Sequence, residues 1–228
     1  MGINTVEKID ARVKVRHVLA SVSDKSGLET FIPGLVASCP EVKIFSTGGT
    51  YARLKEILGA AAGERLQAVS DYTGQPETQG GLVKTLDFKI YLGLLTETYN
   101  DAHQGDLRRT AAVPIDMVVV NLYPFKQTIA QAGVTVEGAR GQIDIGGPCM
   151  IRAAAKNFIR VAPVVDPSDY AGILEELRAA EGRTSLNLRF ALAQKAFAHT
   201  ADYDRAIADY LQGQSAAAAA GCYQFPNG

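Results

Sequence analysis

The feature that most constrains this chain is an alternation. Short apolar, β-branched runs are interleaved with amphipathic stretches: Val13 to Val22, Leu28 to Ala37, Val42 to Phe45, Tyr51 to Leu58. Strand-length runs separated by helical patterns predict βαβα units and a mainly parallel sheet flanked by helices. Ile115 to Asn121 is too short and too apolar for anything but a buried strand. Tyr123-Pro124 closes it, because a proline holds the residue before it extended. Arg160 to Val165 predicts another strand. Pro148 to Asn157 reads as a helix with proline at its first position and Gly147 as its cap. Pro167 to Ala180 and Leu186 to Leu211 read as helices, the latter with Phe190, Ala193, Phe197, Tyr203, Ile207 and Tyr210 spaced as core contacts. Between Ser70 and Leu95 the glycines and Pro76 break every periodicity, as in functional loops. The expected domain is 13–211, followed by an alanine-rich, low-complexity tail at 212–228.

The 228 residues carry 23 basic and 24 acidic side chains, a net charge of −1, and 47% are hydrophobic. That is enough to bury a core without staples, and it leaves no general field for nucleic acid or an anionic membrane. An anionic ligand must therefore be met by local groups. Cys39, Cys149 and Cys222 are odd in number and lack metal-ligand spacing, and His17, His103 and His199 are scattered, so neither a disulfide scaffold nor a metal site is expected. Glu7, Lys8, Asp10 and Arg12 are at odds with a secretory signal, and no apolar run approaches the roughly 18 residues of a membrane span. A cytoplasmic protein is expected.

Five segments carry chemistry. Ser21 to Gly27 follows a strand and precedes a helix, so backbone N–H groups and Lys25 suit a phosphate; the plainer reading is that Ser23 or Asp24 caps the helix. Ser46-Thr47-Gly48-Gly49-Thr50 repeats that arrangement, with glycines that admit a ligand close to the backbone and threonine hydroxyls to donate. In a parallel sheet both turns lie beyond the carboxyl ends of strands and converge on one site. Lys84 alone reads as a surface charge. Asn121 and Tyr123 follow the Ile115 strand onto the same edge. The fifth segment is Gln142 to Gly147 with the following helix, whose Arg152 and Lys156 share a face; Lys156 either meets an acid nearby or complements the helix C-terminus.

The segments SVSDKSG, STGGT, VSDYTGQPE, VKTL, NLYPF, QIDIGGP, RAAAKN and KAFAHTADYD, in this order from about Val18 to Leu211, resemble the inosine monophosphate (IMP) cyclohydrolase part of the bifunctional purine-synthesis enzymes. The resemblance implies a methylglyoxal-synthase-like α/β fold, a homodimer, and closure of 5-formamidoimidazole-4-carboxamide ribotide (FAICAR) to IMP with loss of water, using no metal or organic cofactor. It implies substrate contacts at Ser23, Lys25, Thr47, Gly48, Gly49, Thr50, Thr85, Asn121, Ile145 and Gly146. The implied catalytic group is Lys84, Tyr123, Asp144 and Lys156.

Closing the ring requires a base at the carboxamide nitrogen and a donor at the formyl oxygen. The expected division gives Lys156, poised by Asp144 and by the like charge of Arg152, the carboxamide proton, and gives Lys84 and Tyr123 the oxygen. The chain departs from the family pattern at Leu82, where an arginine is usual, and at Asp87, Phe88 and Tyr91. It also ends near Gly228, without the formyl-transferring domain that usually follows, and a separate AICAR transformylase is a candidate partner. The same fold also serves as a nucleotide-binding regulatory module, and that is the alternative reading.

Overall fold

A computed structural model describes residues 5–76 and 84–226. In chain order the elements are β1 (Arg12–Lys14), β2 (His17–Val22), α1 (Leu28–Ser38), β3 (Lys43–Ser46), α2 (Gly48–Leu58), α3 (Ala62–Arg65), β4 (Leu66–Ala68), α4 (Val69–Thr73), α5 (Phe88–Leu95) and α6 (Asp101–Thr110). There follow β5 (Met117–Asn121), α7 (Phe125–Ile129), α8 (Val136–Arg140), α9 (Gly146–Lys156), β6 (Ala162–Val164), α10 (Tyr170–Ala179), β7 (Arg183–Ser185), α11 (Leu186–Gln212) and α12 (Ala216–Ala220).

Five strands form one parallel sheet in the order β4-β3-β2-β5-β6. Both faces are covered, which explains why the central strands are apolar throughout rather than alternating. Val18, Ala20 and Val22 of β2 and Met117 and Val119 of β5 face a core with Phe31, Ile32 and Leu35 of α1 and Ile173, Leu174 and Leu177 of α10. Leu19, Val118 and Val120 face the opposite way, onto Ile90 and Leu94 of α5, Ile151, Ala154 and Ala155 of α9, and Ala193 and Ala196 of α11. The period of two, hidden in the sequence, appears as two cores on opposite faces.

Several expectations are corrected. The run Val13 to Val22 is two strands, because β1 leaves the main sheet and pairs antiparallel with β7, Val13 opposite Thr184. α9 starts at Gly146 rather than after Gly147, and Asp144 Oδ1 accepts from Gly147 N at 2.8 Å. Phe190 and Phe197 are not core residues: they are 48% and 41% exposed, whereas Ala193 and Tyr203 are buried. Asp87, Phe88 and Tyr91 build α5, which Asp87 caps by accepting from Lys89 N at 2.7 Å. The tail holds α12, capped by Ser215, with Ala216, Ala217 and Ala218 exposed and Ala219 and Ala220 half-buried.

At the amino ends of the strands, Asp116 Oδ2 accepts from Arg16 N and His17 N at 2.8 and 2.9 Å, and Oδ1 meets Arg160 Nη1 at 2.9 Å. Arg160 also donates to the carbonyls of Gly93, Thr96 and Ile115. Asn157 adds bonds to Leu94 O and Thr96 O, fastening the end of α9 to the end of α5. Removing one partner of a buried ion pair leaves the other uncompensated. Asp116→Ala is expected to lower the unfolding free energy by about 3–5 kcal/mol, measured by urea titration.

Candidate functional site

Strand order runs from β2 outward to β3 and β4, then jumps back to place β5 on the other side of β2. The loops leaving β2 and β5 therefore diverge, and a crevice opens at the carboxyl edge where the order reverses. A cavity of about 250 Å³ occupies that crevice, lined by Ser23 and Lys25 after β2, Thr47 to Thr50 after β3, Asn121 and Tyr123 after β5, and Lys84, Thr85, Asp144 and Gly146. Register sets this convergence, since Ala20 lies beside Ser46 and Val22 beside Asn121.

The two turns are built differently from their sequence reading. Neither Ser23 nor Asp24 caps α1, whose N-cap is Gly27 with φ 75°. Instead Asn121 Oδ1 accepts from Ser23 N and Asp24 N at 2.7 and 2.8 Å, while Asn121 Nδ2 donates to Asp24 O at 2.8 Å. Asn121, implied as a substrate contact, is thus first a clamp on the Ser23 turn. Thr50, expected to donate to the ligand, donates its hydroxyl to Val22 O and accepts from Val22 N, both at 3.0 Å. Its backbone N–H belongs to the first turn of α2, which starts without a side-chain cap, so those amides are oriented for an anion.

Two ammonium groups lean on this turn. A Cβ built on Gly48, where φ is +50°, would lie 3.1 Å from Lys84 Nζ, and one on Gly49 would lie 3.9 Å from Lys25 Nζ. Glycine at position 48 satisfies both the left-handed backbone and the close approach of the lysine. Lys25 Nζ also donates to Ser23 O at 3.3 Å. The net charge of the chain gives no hint of this local concentration of positive charge.

Asp144 forms the opposite wall. Burial pushes its carboxyl above the usual carboxylate range, against hydrogen bonds from the backbone of Gly147 and Tyr123 that favour the anion. Gly147 has no room for a side chain, because a Cβ would lie 2.5 Å from Leu122 Cδ2 and 2.6 Å from Asp144 Oδ2. Thr85 is buried, its Oγ1 2.9 Å from where Gly146 would place a Cβ. Tyr123 is 47% exposed and separates this cavity from a second one of about 480 Å³ lined by His199, Asp202 and Tyr203. Gly147 and Met150, which also line the first cavity, were not foreseen as site residues.

Two expected residues stand outside the cavity. Ile145 is 59% exposed. Lys156 ends α9 ten residues beyond Gly146, about 15 Å along the axis, and is exposed. It neither meets Asp144 of its own chain nor lines the cavity, and Arg152 stacks over Phe197 at 5.6 Å. Within one chain Lys156 stands in the last turn of α9, where a cation complements the helix dipole. Leu82 lies outside the described residues. Among the described residues no three His, Cys, Asp or Glu side chains gather to hold a metal, and no helix is long and apolar enough to cross a membrane.

A model of the MGS-like domain matches residues 28–149, and a model of the AICARFT/IMPCHase bienzyme matches residues 154–226. The chain is 48% identical over 198 residues to the bifunctional purine biosynthesis protein PurH of Magnetococcus marinus and 46% identical over 203 residues to that of Rhodopirellula baltica. These matches cover 87% and 89% of this chain, which spans 36% and 37% of the relatives' length. The crystal structure of ForH matches with a TM-score of 0.75 at 33% identity, covering 88% of this chain and 100% of that one.

The raised carboxyl of Asp144 has a consequence for stability. A carboxyl whose folded pKa exceeds its unfolded value contributes stability that is present at acid pH and lost as pH rises through the folded value. Asp144→Asn, a neutral isostere, is therefore expected to match the parent at acid pH and to be the more stable protein at neutral pH. Urea unfolding at a series of pH values checks this.

Proposed function

Because this chain belongs to the MGS-like domain family and is homologous to PurH along most of its length, we propose that it is an IMP cyclohydrolase, closing FAICAR to IMP. The observation that carries the proposal is the meeting of Lys84, Tyr123 and Asp144 around one cavity whose other wall is a pair of anion-binding turns. A phosphate seated on the amides of Thr47 to Thr50, with Lys25 beside it, leaves the rest of the nucleotide to a cavity that Tyr123 and Asp144 also line.

In the reaction the carboxamide nitrogen attacks the formyl carbon and a carbon–nitrogen bond forms. The formyl oxygen then leaves as water, carrying one proton from the carboxamide nitrogen and one from the formamide nitrogen. Asp144, rather than Lys156 of the same chain, is placed to accept the carboxamide proton, and its raised carboxyl value makes it a better acceptor than an ordinary carboxylate. Lys84 and the Tyr123 hydroxyl neutralise charge on the formyl oxygen and supply the proton on which it departs.

A homodimer gives Lys156 a place in this scheme. On α9 the positions Ile145, Cys149, Arg152 and Lys156 fall along one face, bordered by the exposed Phe197. A second copy seated on that face brings its own Lys156 toward the first copy's cavity.

Asp144→Asn is expected to slow IMP formation by about 10²–10⁴-fold, and Lys84→Ala by about 10²–10³-fold. The measurement is IMP appearance from FAICAR against the uncatalysed background. IMP binding without turnover in the parent protein would instead favour a regulatory nucleotide-binding module. For Lys156, mixing inactive Lys84→Ala and Lys156→Met chains is expected to restore about a quarter of the sites, since half the dimers are mixed and one cavity in each is intact. Full activity of Lys156→Met alone would remove that residue from the reaction.

A further inference from the structure

The groups proposed for the chemistry, Lys84, Tyr123 and Asp144, all fall within the MGS-like part of the chain, residues 28–149. One of the hydrogen bonds that hold Asp144 does not. Its backbone N–H donates to the hydroxyl of Tyr203 at 2.9 Å, and that hydroxyl donates onward to Gln142 O at 3.0 Å. Tyr203 sits on α11, in the segment matched by the bienzyme model, 59 residues away in sequence. Its ring is buried and meets Phe125 edge-on at 6.2 Å, so the phenol is fixed before it reaches the loop.

We propose that Tyr203 is the positioning residue for Asp144: its single hydroxyl bridges the peptide groups at positions 142 and 144 and so sets where the carboxylate stands in the cavity. The proposal rests on the cyclohydrolase reading of the site for its kinetic consequence, but not for its structural one. Two constraints act on Asp144 from opposite sides. Gly147 N orients the carboxylate from within the cavity, while Tyr203 holds the backbone from outside it, from the wall of the second cavity. The amides after β3 that receive the phosphate have no bond to Tyr203. Loss of the hydroxyl therefore affects the reacting groups and leaves ligand affinity alone, the pattern of an interaction needed to align reactants rather than to bind them.

Tyr203→Phe keeps the ring and removes only the bridge. Tyr210→Phe is the matched control on the same helix, its hydroxyl directed to Thr135 O at 3.5 Å, away from the site. In the full chain, Tyr203→Phe is expected to lower kcat for FAICAR by about 10- to 100-fold with KM and IMP affinity unchanged. Amide exchange across residues 140–148 is expected to quicken. Tyr210→Phe is expected to match the parent in all of these. A Tyr203→Phe protein with parental kcat, or with a loss equalled by Tyr210→Phe, overturns the proposal. Absence of turnover in the parent overturns the cyclohydrolase reading instead, and amide exchange then decides the positioning alone: unchanged exchange in Tyr203→Phe overturns it.

Discussion

The architecture depends on the pair formed by Asp116 and Arg160 beneath the sheet. A buried ion pair is a weak source of net stability, because desolvation offsets most of the attraction. Its effect here is on registration. One carboxylate holds the backbone at the start of β2, and its guanidinium partner holds three carbonyls, at the end of α5, just after it and just before β5. The backbone of Asp116 donates to His17 O and accepts from Ala162 N, so three strands are indexed to one residue. A slip of one position would turn every side chain to the opposite face. Four to five residues along, the same register delivers Val22 beside Asn121, and with it the clamp on the Ser23 turn. The site at the carboxyl edge inherits its geometry from a contact at the amino edge.

Polar groups at the crevice divide into those that build it and those left for a ligand. Asn121, Thr50 and Ser46 are committed to backbone: the Ser46 hydroxyl donates to Ala20 O at 2.7 Å, and the other two hold the loop after β2. Lys84 and the first-turn amides of α2 remain directed at the cavity, and Lys25 does both, lining the cavity while its ammonium donates to Ser23 O. A rigid shell of satisfied hydrogen bonds around a few directed charges is how a protein meets a phosphate without a large net charge.

The sheet and its helices were legible because their signals are local: β-branched runs, a proline after a strand, glycine pairs before helices. The two turns were legible as a pair, since parallel topology alone sends both to one edge. The partition of labour within them was not, because nothing in STGGT distinguishes the threonine that binds backbone from the amides that face a ligand. The distance of Lys156 from the cavity of its own chain was hidden for a related reason. The resemblance puts Lys156 and Asp144 in one site, yet within one chain a helix of eleven residues is a rigid spacer that carries its last residue about 15 Å from its first. Tyr203 was read only as a core aromatic, and its hydroxyl's partners lie 59 and 61 residues away.

Asp144 shows how the same helix joins structure to chemistry. It stands at the amino end of α9, where the aligned peptide dipoles and the N–H of Gly147 favour an anion, yet burial makes that anion costly. The two effects oppose each other and burial prevails, as the upward shift of its carboxyl shows. The bond from Gly147 N offsets part of that desolvation and keeps the buried carboxyl oriented. A carboxyl so placed costs stability once it ionises.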